Sequence, residues 1–234
     1  MSPSRDDPAT ARPISRRTVG ALVVAIAAAD VVANVLIPED AKVPVKLAIA
    51  AGFVAWARWS ADLSWDELGL GRAHVRAGLR LGGLAMLAIG GVILVLVAVP
   101  GSRSYFDVSS VASDSTAQRV LQPLLFIPLG TVVFEEVIFR GVLLAALLRV
   151  TTSTNAVVVN ALLFGLWHIP PALRDASDKG AAAAFGVVVG TIAITTVAGG
   201  AFAWLRVRSG SLIAPMLAHL ATNSFAYAAA AATV

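Results

Sequence analysis

Long apolar runs constrain the fold of this chain more than any other feature of its sequence. Most approach or exceed the roughly 20 residues that a helix needs to cross the hydrocarbon core of a bilayer. A spanning segment must also satisfy its backbone hydrogen bonds internally, which a helix does. The sequence therefore predicts an all-α, polytopic integral membrane protein with about seven transmembrane helices (six to eight), in the apolar runs 18–37, 43–59, 78–99, 120–150, 155–169, 181–205 and 211–231.

The composition also indicates a membrane protein. Hydrophobic residues make up 58% of the chain and charged residues 14%, whereas soluble domains are about 45–50% apolar and about 25% charged. The chain has no cysteine, which excludes disulfides, thiolate metal ligands, a cysteine nucleophile and cysteine-linked lipid anchors. The net charge of +4 is explained by basic residues that face anionic lipid, since no basic run is interleaved with aromatics. We therefore expect the lipid bilayer, and no nucleic acid, as a partner.

The segments that flank the first two apolar runs indicate how the N-terminal part is organised. Residues 1–17 are polar and contain three prolines, so they are predicted to form a disordered cytoplasmic tail. The run that follows is longer than the roughly 7–15 apolar residues of a signal-peptide core, so we expect an uncleaved span. Residues 61–71 mix tryptophan and leucine with acidic residues, which predicts an interfacial helix after the second span. Residues 18–232 are predicted to form a single transmembrane helical domain.

The distribution of basic residues predicts the orientation in the membrane. With the N-terminus inside, eleven lysines and arginines fall on the inner side of the predicted spans and six on the outer side. Cytoplasmic loops carry an excess of these residues. We therefore predict a cytoplasmic N-terminus in the cell (plasma) membrane.

Three ionisable residues, Glu135, Glu136 and Arg140, interrupt the fourth apolar run. Each such residue at bilayer depth costs roughly 2.5–3.5 kcal/mol on insertion scales, so a functional site is the default interpretation. The spacing of Glu136 and Arg140 places them on one helix face in the favourable order for an ion pair. Glu135 points about 100° away from Glu136 and needs another partner. A purely structural charged cluster that locks helices together is the alternative.

Two later apolar runs carry further polar residues. His168 ends the fifth run just before two prolines, which are expected to stop the helix, and His219 lies in the seventh run with Asn223 one turn later. Counted from the cytoplasmic ends of their helices, Glu135, His168 and His219 lie at depths of about 21, 20 and 15 Å. These similar depths predict that the side chains converge in one pocket. The remaining histidine, His74, is expected at the surface.

Prolines and glycines in the apolar runs predict where helices open or approach closely. Pro123 and Pro128 precede the glutamates and should free backbone carbonyls that water or protein must satisfy. Asp30 has no partner at an equivalent depth, and we expect it to have a packing role or to reach the interface. The sixth run carries glycines that predict close helix packing: Gly186, Gly190, Gly199 and Gly200.

Three motifs occur in order on successive apolar runs, namely Glu135-Glu136-x-x-x-Arg140, Phe164-x-x-x-His168 and His219-x-x-x-Asn223. Together they resemble the CPBP family of intramembrane proteases, which includes type II CAAX prenyl endopeptidases and bacteriocin-processing or bacteriocin-immunity proteins. The resemblance covers about residues 118–227. It implies an intramembrane endopeptidase that hydrolyses peptide bonds of membrane-associated protein substrates.

The resemblance also implies roles for the motif residues. Glu135 and His168 would bind and activate a water molecule, while His219 and Asn223 would stabilise the oxyanion. A carboxylate that takes a proton from water and amide or imidazole donors near an oxyanion are chemically suited to these tasks. The remaining motif residues would hold the site in shape: Glu136, Arg140 and Phe164.

Two questions stay open after the motifs. Glu135, His168 and His219 could be three ligands of a catalytic zinc, but the chain has no His-Glu-x-x-His pair. We favour a metal-free water activated by glutamate over the metal-dependent mechanism. A non-catalytic membrane partner, such as a bacteriocin self-immunity protein, is the alternative function. A transporter or proton relay is disfavoured, because inverted repeats and a second cluster of intramembrane charges are lacking.

Overall fold

The computed structural model describes residues 14–99 and 109–232, and all regular secondary structure in these ranges is helical. This confirms the all-α fold class. Most of the predicted tail, residues 1–13, lies outside these ranges, as do residues 100–108 and 233–234. The helices are α1 (Arg16–Leu36), α2 (Lys42–Trp59), α3 (Val75–Ala98), α4 (Ser109–Ala112), α5 (116–148), α6 (Ser153–Trp167), α7 (Ile169–Asp175), α8 (Ala181–Ser209) and α9 (213–231).

Each predicted apolar run coincides with a helix. Within the described part of the chain, four helical segments are long and apolar enough to cross a membrane, namely Arg16–Leu36, Arg72–Ala98, Ser153–Asp175 and Ala181–Ser209. They confirm an integral membrane protein. The helix α2 is shorter and carries charged residues, while π-helical segments divide α5 and α9. The number of seven crossings therefore stays a prediction.

Local sequence signals fix several helix ends. The Ser15 side chain accepts a hydrogen bond from the Thr18 backbone N–H at 3.1 Å, so α1 begins at Arg16 and includes the last two residues of the predicted tail. Thr152 caps α6 in the same way. The C-terminal end of α8 is closed by Gly210 in the left-handed conformation, with φ of +70°, which glycine adopts without strain.

The helix α5 widens on both sides of the glutamates. It contains π-helical segments at Gln122–Phe126, Pro128–Val133 and Val137–Leu143, and the α-helical turn Phe134–Glu136 lies between the last two. Another π-helical segment, Ala221–Phe225, divides α9. Such segments are rare and often accompany functional sites, because the widened turn redirects side chains.

The predicted interfacial helix over residues 61–71 is wrong. This stretch is a series of turns that we call the 60–71 loop. Asp62 and Gly69 have φ of +48° and +75°, and left-handed residues interrupt a right-handed helix. The side chains of Leu63 and Leu68 are fully buried, so the loop packs into the helix ends instead of lying on the membrane surface.

The helix of the fifth run stops before the two prolines, as the sequence predicted, but a second helix begins at once. The helix α6 ends at Trp167, and α7 begins at Ile169 with Pro170 and Pro171 in its first turn. Proline is tolerated there because first-turn N–H groups have no helical acceptor. His168 lies at the junction, with φ of −87° and ψ of 3°. The prolines therefore redirect the chain immediately after His168.

Candidate active site

A buried ion pair lies at the centre of the structure. The Arg140 Nη1 donates to Glu136 Oε1 at 3.0 Å, and both side chains have no exposed surface. The same glutamate oxygen lies 2.8 Å from Nδ1 of His219. Glu136 therefore joins α5 to α9 through one oxygen atom. This confirms the ion pair that the four-residue spacing predicted.

The Arg140 guanidinium is enclosed by aromatic rings and by α8. Its Cζ atom lies 4.0 Å from the Phe164 ring centroid and 5.3 Å from that of Phe202. Its Nη2 donates to the carbonyl oxygen of Gly199 at 3.1 Å. A Cβ atom at Gly199 would lie 2.9 Å from Phe164 Cδ1, so only glycine allows this close approach. A desolvated cation over aromatic faces is a favourable arrangement.

Glu135 points away from this pair, as its position on the helix predicted. Its side chain is 9% exposed, and the indole N–H of Trp167 donates to Oε1 at 3.3 Å. The other oxygen, Oε2, is buried and has no hydrogen-bond partner in the described part of the chain. It lies 3.9 Å from Nε2 of His219. One carboxylate oxygen is therefore held, and the other faces an imidazole without touching it.

His219 is held from both ring nitrogens. Nδ1 faces Glu136, and the side-chain amide of Asn223 lies 3.2 Å from Nε2. The ring stacks on Phe202 with centroids 4.9 Å apart and planes inclined by 23°. This geometry orients the imidazole edge towards Glu135 and Asn223, where a polar reactant can be bound.

His168 joins the site through Phe164. Its Nδ1 lies 2.8 Å from the Phe164 carbonyl oxygen. A carbonyl oxygen only accepts hydrogen bonds, so Nδ1 carries the proton and Nε2 keeps a lone pair. The Phe164 ring lies edge-on to both imidazoles, with centroids 4.8 Å from His168 and 6.0 Å from His219. The structure therefore links the two histidines by a shared aromatic neighbour.

The structure gives partners to two charged residues near the site. Lys46 is half buried in α2 and interacts electrostatically with Glu135 and Asp30. Asp30 was expected to have no partner, and its carboxylate accepts a hydrogen bond from the side-chain amide of Asn34. The packing of α1, α2 and α5 sets the surroundings of these two residues, and a count of predicted spans does not reveal how helices pack.

Four further residues of the site were not identified from the sequence as site residues. Trp167, Phe202 and Gly199 contact the motif residues directly, and the Asn160 amide donates to the Phe139 carbonyl oxygen at 2.8 Å inside the π-helical part of α5. Asn160 is fully buried. A buried polar residue on an apolar run is the only sequence signal that could have singled it out.

The residues fit a metal ion poorly. No group of three His, Cys, Asp or Glu side chains in the described ranges lies close enough to hold one. Glu135, His168 and His219 were the three ligands that the sequence suggested, and they are not arranged around a common point. The chemistry below is therefore derived from the protein side chains alone.

The fold and the site define a class of protein: a helical membrane protein with carboxylate, imidazole and amide groups gathered in its apolar interior. Residues 117–225 match the sequence model of the family described as type II CAAX prenyl endopeptidase Rce1-like. No curated protein and no solved structure matches the chain. The match covers just under half of the chain and includes all three motifs. The motif-bearing part of this chain is therefore similar to that family of endopeptidases.

Proposed function

We propose that this protein is an intramembrane endopeptidase that hydrolyses a peptide bond of a membrane-associated protein substrate. The family match supports a protease at the membrane, and the family description names CAAX prenyl proteins as the substrate class. The single observation that carries the catalytic proposal is the buried Oε2 of Glu135. This oxygen has no partner among the described residues and faces His219 at 3.9 Å.

In the proposed reaction, Glu135 acts as the general base. A water molecule bound between Glu135 and Nε2 of His168 attacks the carbonyl carbon of the scissile bond while Glu135 takes its proton. The lone pair that His168 keeps on Nε2 suits the binding of this water. When the tetrahedral intermediate collapses, the carbon–nitrogen bond breaks and the proton passes from Glu135 to the leaving amine. General acid–base catalysis of this kind contributes about 10²–10⁴-fold to the rate.

His219 and Asn223 are proposed to stabilise the oxyanion. The Asn223 amide has a second N–H besides the one directed at His219, and this N–H can donate to the developing negative charge. His219 accepts the first N–H of Asn223 at Nε2 and donates from Nδ1 to the carboxylate of Glu136, so it would hold the Asn223 amide in position for the oxyanion. In this proposal Arg140 and Phe164 keep Glu136 and both imidazoles in place.

A bound zinc ion remains the alternative source of the activated water. Zinc would polarise the substrate carbonyl and lower the pKa of the bound water. The three candidate ligands would have to move together to hold it. Elemental analysis of the purified protein tests this alternative, and one zinc ion per chain that is lost in a Glu135→Ala variant would favour it.

The orientation of the chain is part of the proposal. We place the N-terminus on the cytoplasmic side of the plasma membrane, as the distribution of basic residues favours. Accessibility of an epitope tag on each terminus in intact cells tests this assignment.

Cleavage of a membrane-associated peptide by the purified protein in proteoliposomes tests the enzymatic proposal. We expect Glu135→Ala, His168→Ala and His219→Ala each to lower kcat at least about 10²-fold while the protein still folds. The matched control is His74→Ala, because the His74 side chain is 43% exposed and lies beside Asp66 and Gly210, outside the proposed site. Cleavage by Glu135→Ala at the rate of the wild type would refute the proposal. An intact immunity phenotype in that variant would favour the non-catalytic alternative.

A further inference from the structure

We propose that an apolar groove between α1, α5 and α6 binds an extended apolar stretch of the substrate, and that Trp167 positions Glu135 at the inner end of this groove. The inference rests on the proposed function and adds the location of a substrate subsite and a positioning residue. It is carried by two independent observations, the hydrogen bond of Trp167 and the shape of the groove.

Trp167 is held by the catalytic helix. The residue is 8% exposed, and its ring lies against Phe139 and Phe134 with centroid distances of 5.3 and 6.0 Å. The ring edge presents the indole N–H to Oε1 of Glu135. In the described structure this is the hydrogen bond that holds the Glu135 carboxylate. The rotation of the carboxylate, and hence the direction of its unpaired oxygen, depends on Trp167.

The same indole forms part of the wall of a groove of about 410 Å³. Apolar side chains form nearly all of the lining, and Asp30 is the one charged residue in it. Leu166 and Val31 are half exposed, so the groove reaches the outer surface of the helices. Because α1 and α6 belong to the segments that are apolar enough to cross a membrane, this surface faces lipid.

The dimensions of the groove favour a peptide as its occupant. Its α1 wall runs from Val23 to Val31, which is about 12 Å at the helical rise per residue. An extended chain covers about 3.3–3.6 Å per residue, so three to four residues fit. An apolar segment that lies in the bilayer can enter sideways, and its end then reaches Trp167 next to Glu135. Continuity with the site through Trp167 distinguishes this groove from the apolar cavity between α1 and α2, whose lining includes no residue of the site.

Cysteine crosslinking tests the groove directly, because the chain has no cysteine of its own. Ala27 lines the groove, and Ala28 is its exposed neighbour about 100° around the same helix. We expect Ala27→Cys, in a Glu135→Ala background that retains the substrate, to form a disulfide with a membrane peptide that carries one cysteine in its apolar stretch. Ala28→Cys is the matched control and should give at least about tenfold less product. Equal crosslinking at both positions, or none at Ala27→Cys, would overturn the groove assignment.

Kinetic measurements distinguish substrate binding in the groove from the positioning of Glu135 by Trp167. Ala27→Phe fills the groove and should raise KM at least about tenfold with kcat unchanged, since it removes binding that ground state and transition state share. Trp167→Phe keeps the ring but loses the donor, and it should lower kcat about tenfold with KM within twofold. Wild-type turnover in Trp167→Phe, or wild-type KM in Ala27→Phe, would overturn the corresponding part. Undiminished cleavage by Glu135→Ala would instead refute the proposed function and leave the crosslinking result standing.

Discussion

Two glutamate–arginine pairs stabilise this protein in contrasting ways. Glu136 and Arg140 lie four residues apart on one helix, and neither side chain is exposed. Glu67 and Arg149 are 82 residues apart, and their side chains are 37% and 17% exposed. The first pair lies inside the apolar core beside the site. The second fastens the 60–71 loop to the end of α5.

The two pairs differ in whether water or other hydrogen-bond partners can compensate when one residue of the pair is removed. Water cannot reach Glu136, so loss of Arg140 leaves a buried charge, which is strongly unfavourable. Arg149 binds both oxygens of Glu67 at 2.7 and 2.8 Å, but it also donates to the carbonyl oxygens of Ala61 and Asp62. When Glu67 is replaced, Arg149 therefore keeps its hydrogen bonds to these two carbonyl oxygens, and water can solvate the freed part of its guanidinium group. The comparison predicts a large effect for the first pair and a small one for the second.

The largest expected effect is that of Arg140→Met. The substitution removes the ion pair, the hydrogen bond to Gly199 and the charge over Phe164. We expect a loss of about 3–5 kcal/mol in the free energy of unfolding, because Glu136 is left buried without its counter-charge. Denaturant unfolding in detergent measures it. A loss below about 1 kcal/mol would show that the pair is not isolated from water and would remove the contrast with Glu67.

Substitution of two glycines of α8 probes the packing around the buried pair. In Gly199→Ala the new Cβ would lie 2.9 Å from Phe164 Cδ1 and 3.3 Å from Arg140 Nη2, and such overpacking costs about 1–3 kcal/mol. The matched control is Gly186→Ala, since nothing lies within 4 Å of the Cβ position. The control should be neutral or more stable by up to about 1 kcal/mol, because alanine favours the helix. Thermal unfolding of both variants measures the difference, and equal stabilities would contradict the close approach of α8 to the site.

The smallest expected effect is that of Glu67→Gln. Burial alone would raise the pKa of Glu67, but the hydrogen bonds from Arg149 and Ser64 lower it below the ordinary value of 4.5. A carboxyl whose pKa is lowered by folding contributes stability above its unfolded pKa and loses it as the pH falls through the folded pKa. We expect Glu67→Gln to cost about 1 kcal/mol or less at pH 7.

The pH dependence distinguishes the loop pair from the buried pair. The difference in Tm between wild type and Glu67→Gln should shrink as the pH falls below 4.5, where the carboxyl of Glu67 becomes protonated. Tm values measured between pH 7 and pH 3 test this expectation. A difference that grows towards acid pH would mean that the carboxylate destabilises the loop. Cleavage activity at neutral pH should be retained in this variant, because Glu67 lies outside the proposed site.

The sequence predicted those features that depend on local spacing. The apolar runs gave the helices, and the four-residue spacing of Glu136 and Arg140 gave the ion pair. The similar depths predicted that Glu135, His168 and His219 converge, and the structure brings Glu135 within 3.9 Å of His219. The 60–71 loop was mistaken for a helix because its amphipathic composition hides two left-handed residues. Amino-acid composition does not reveal a left-handed backbone conformation at a residue other than glycine, as at Asp62.

The sequence alone determined that this chain forms membrane helices and that three of them carry ionisable or polar groups, because apolar length and helical periodicity act within a single segment. Only the tertiary structure decided that Trp167 holds Glu135, that Gly199 receives Arg140, and that Arg149 fastens the loop at Glu67. Each of these contacts joins residues 32 or more positions apart. Their geometry is set by how the helices pack, and no spacing within one helix encodes it.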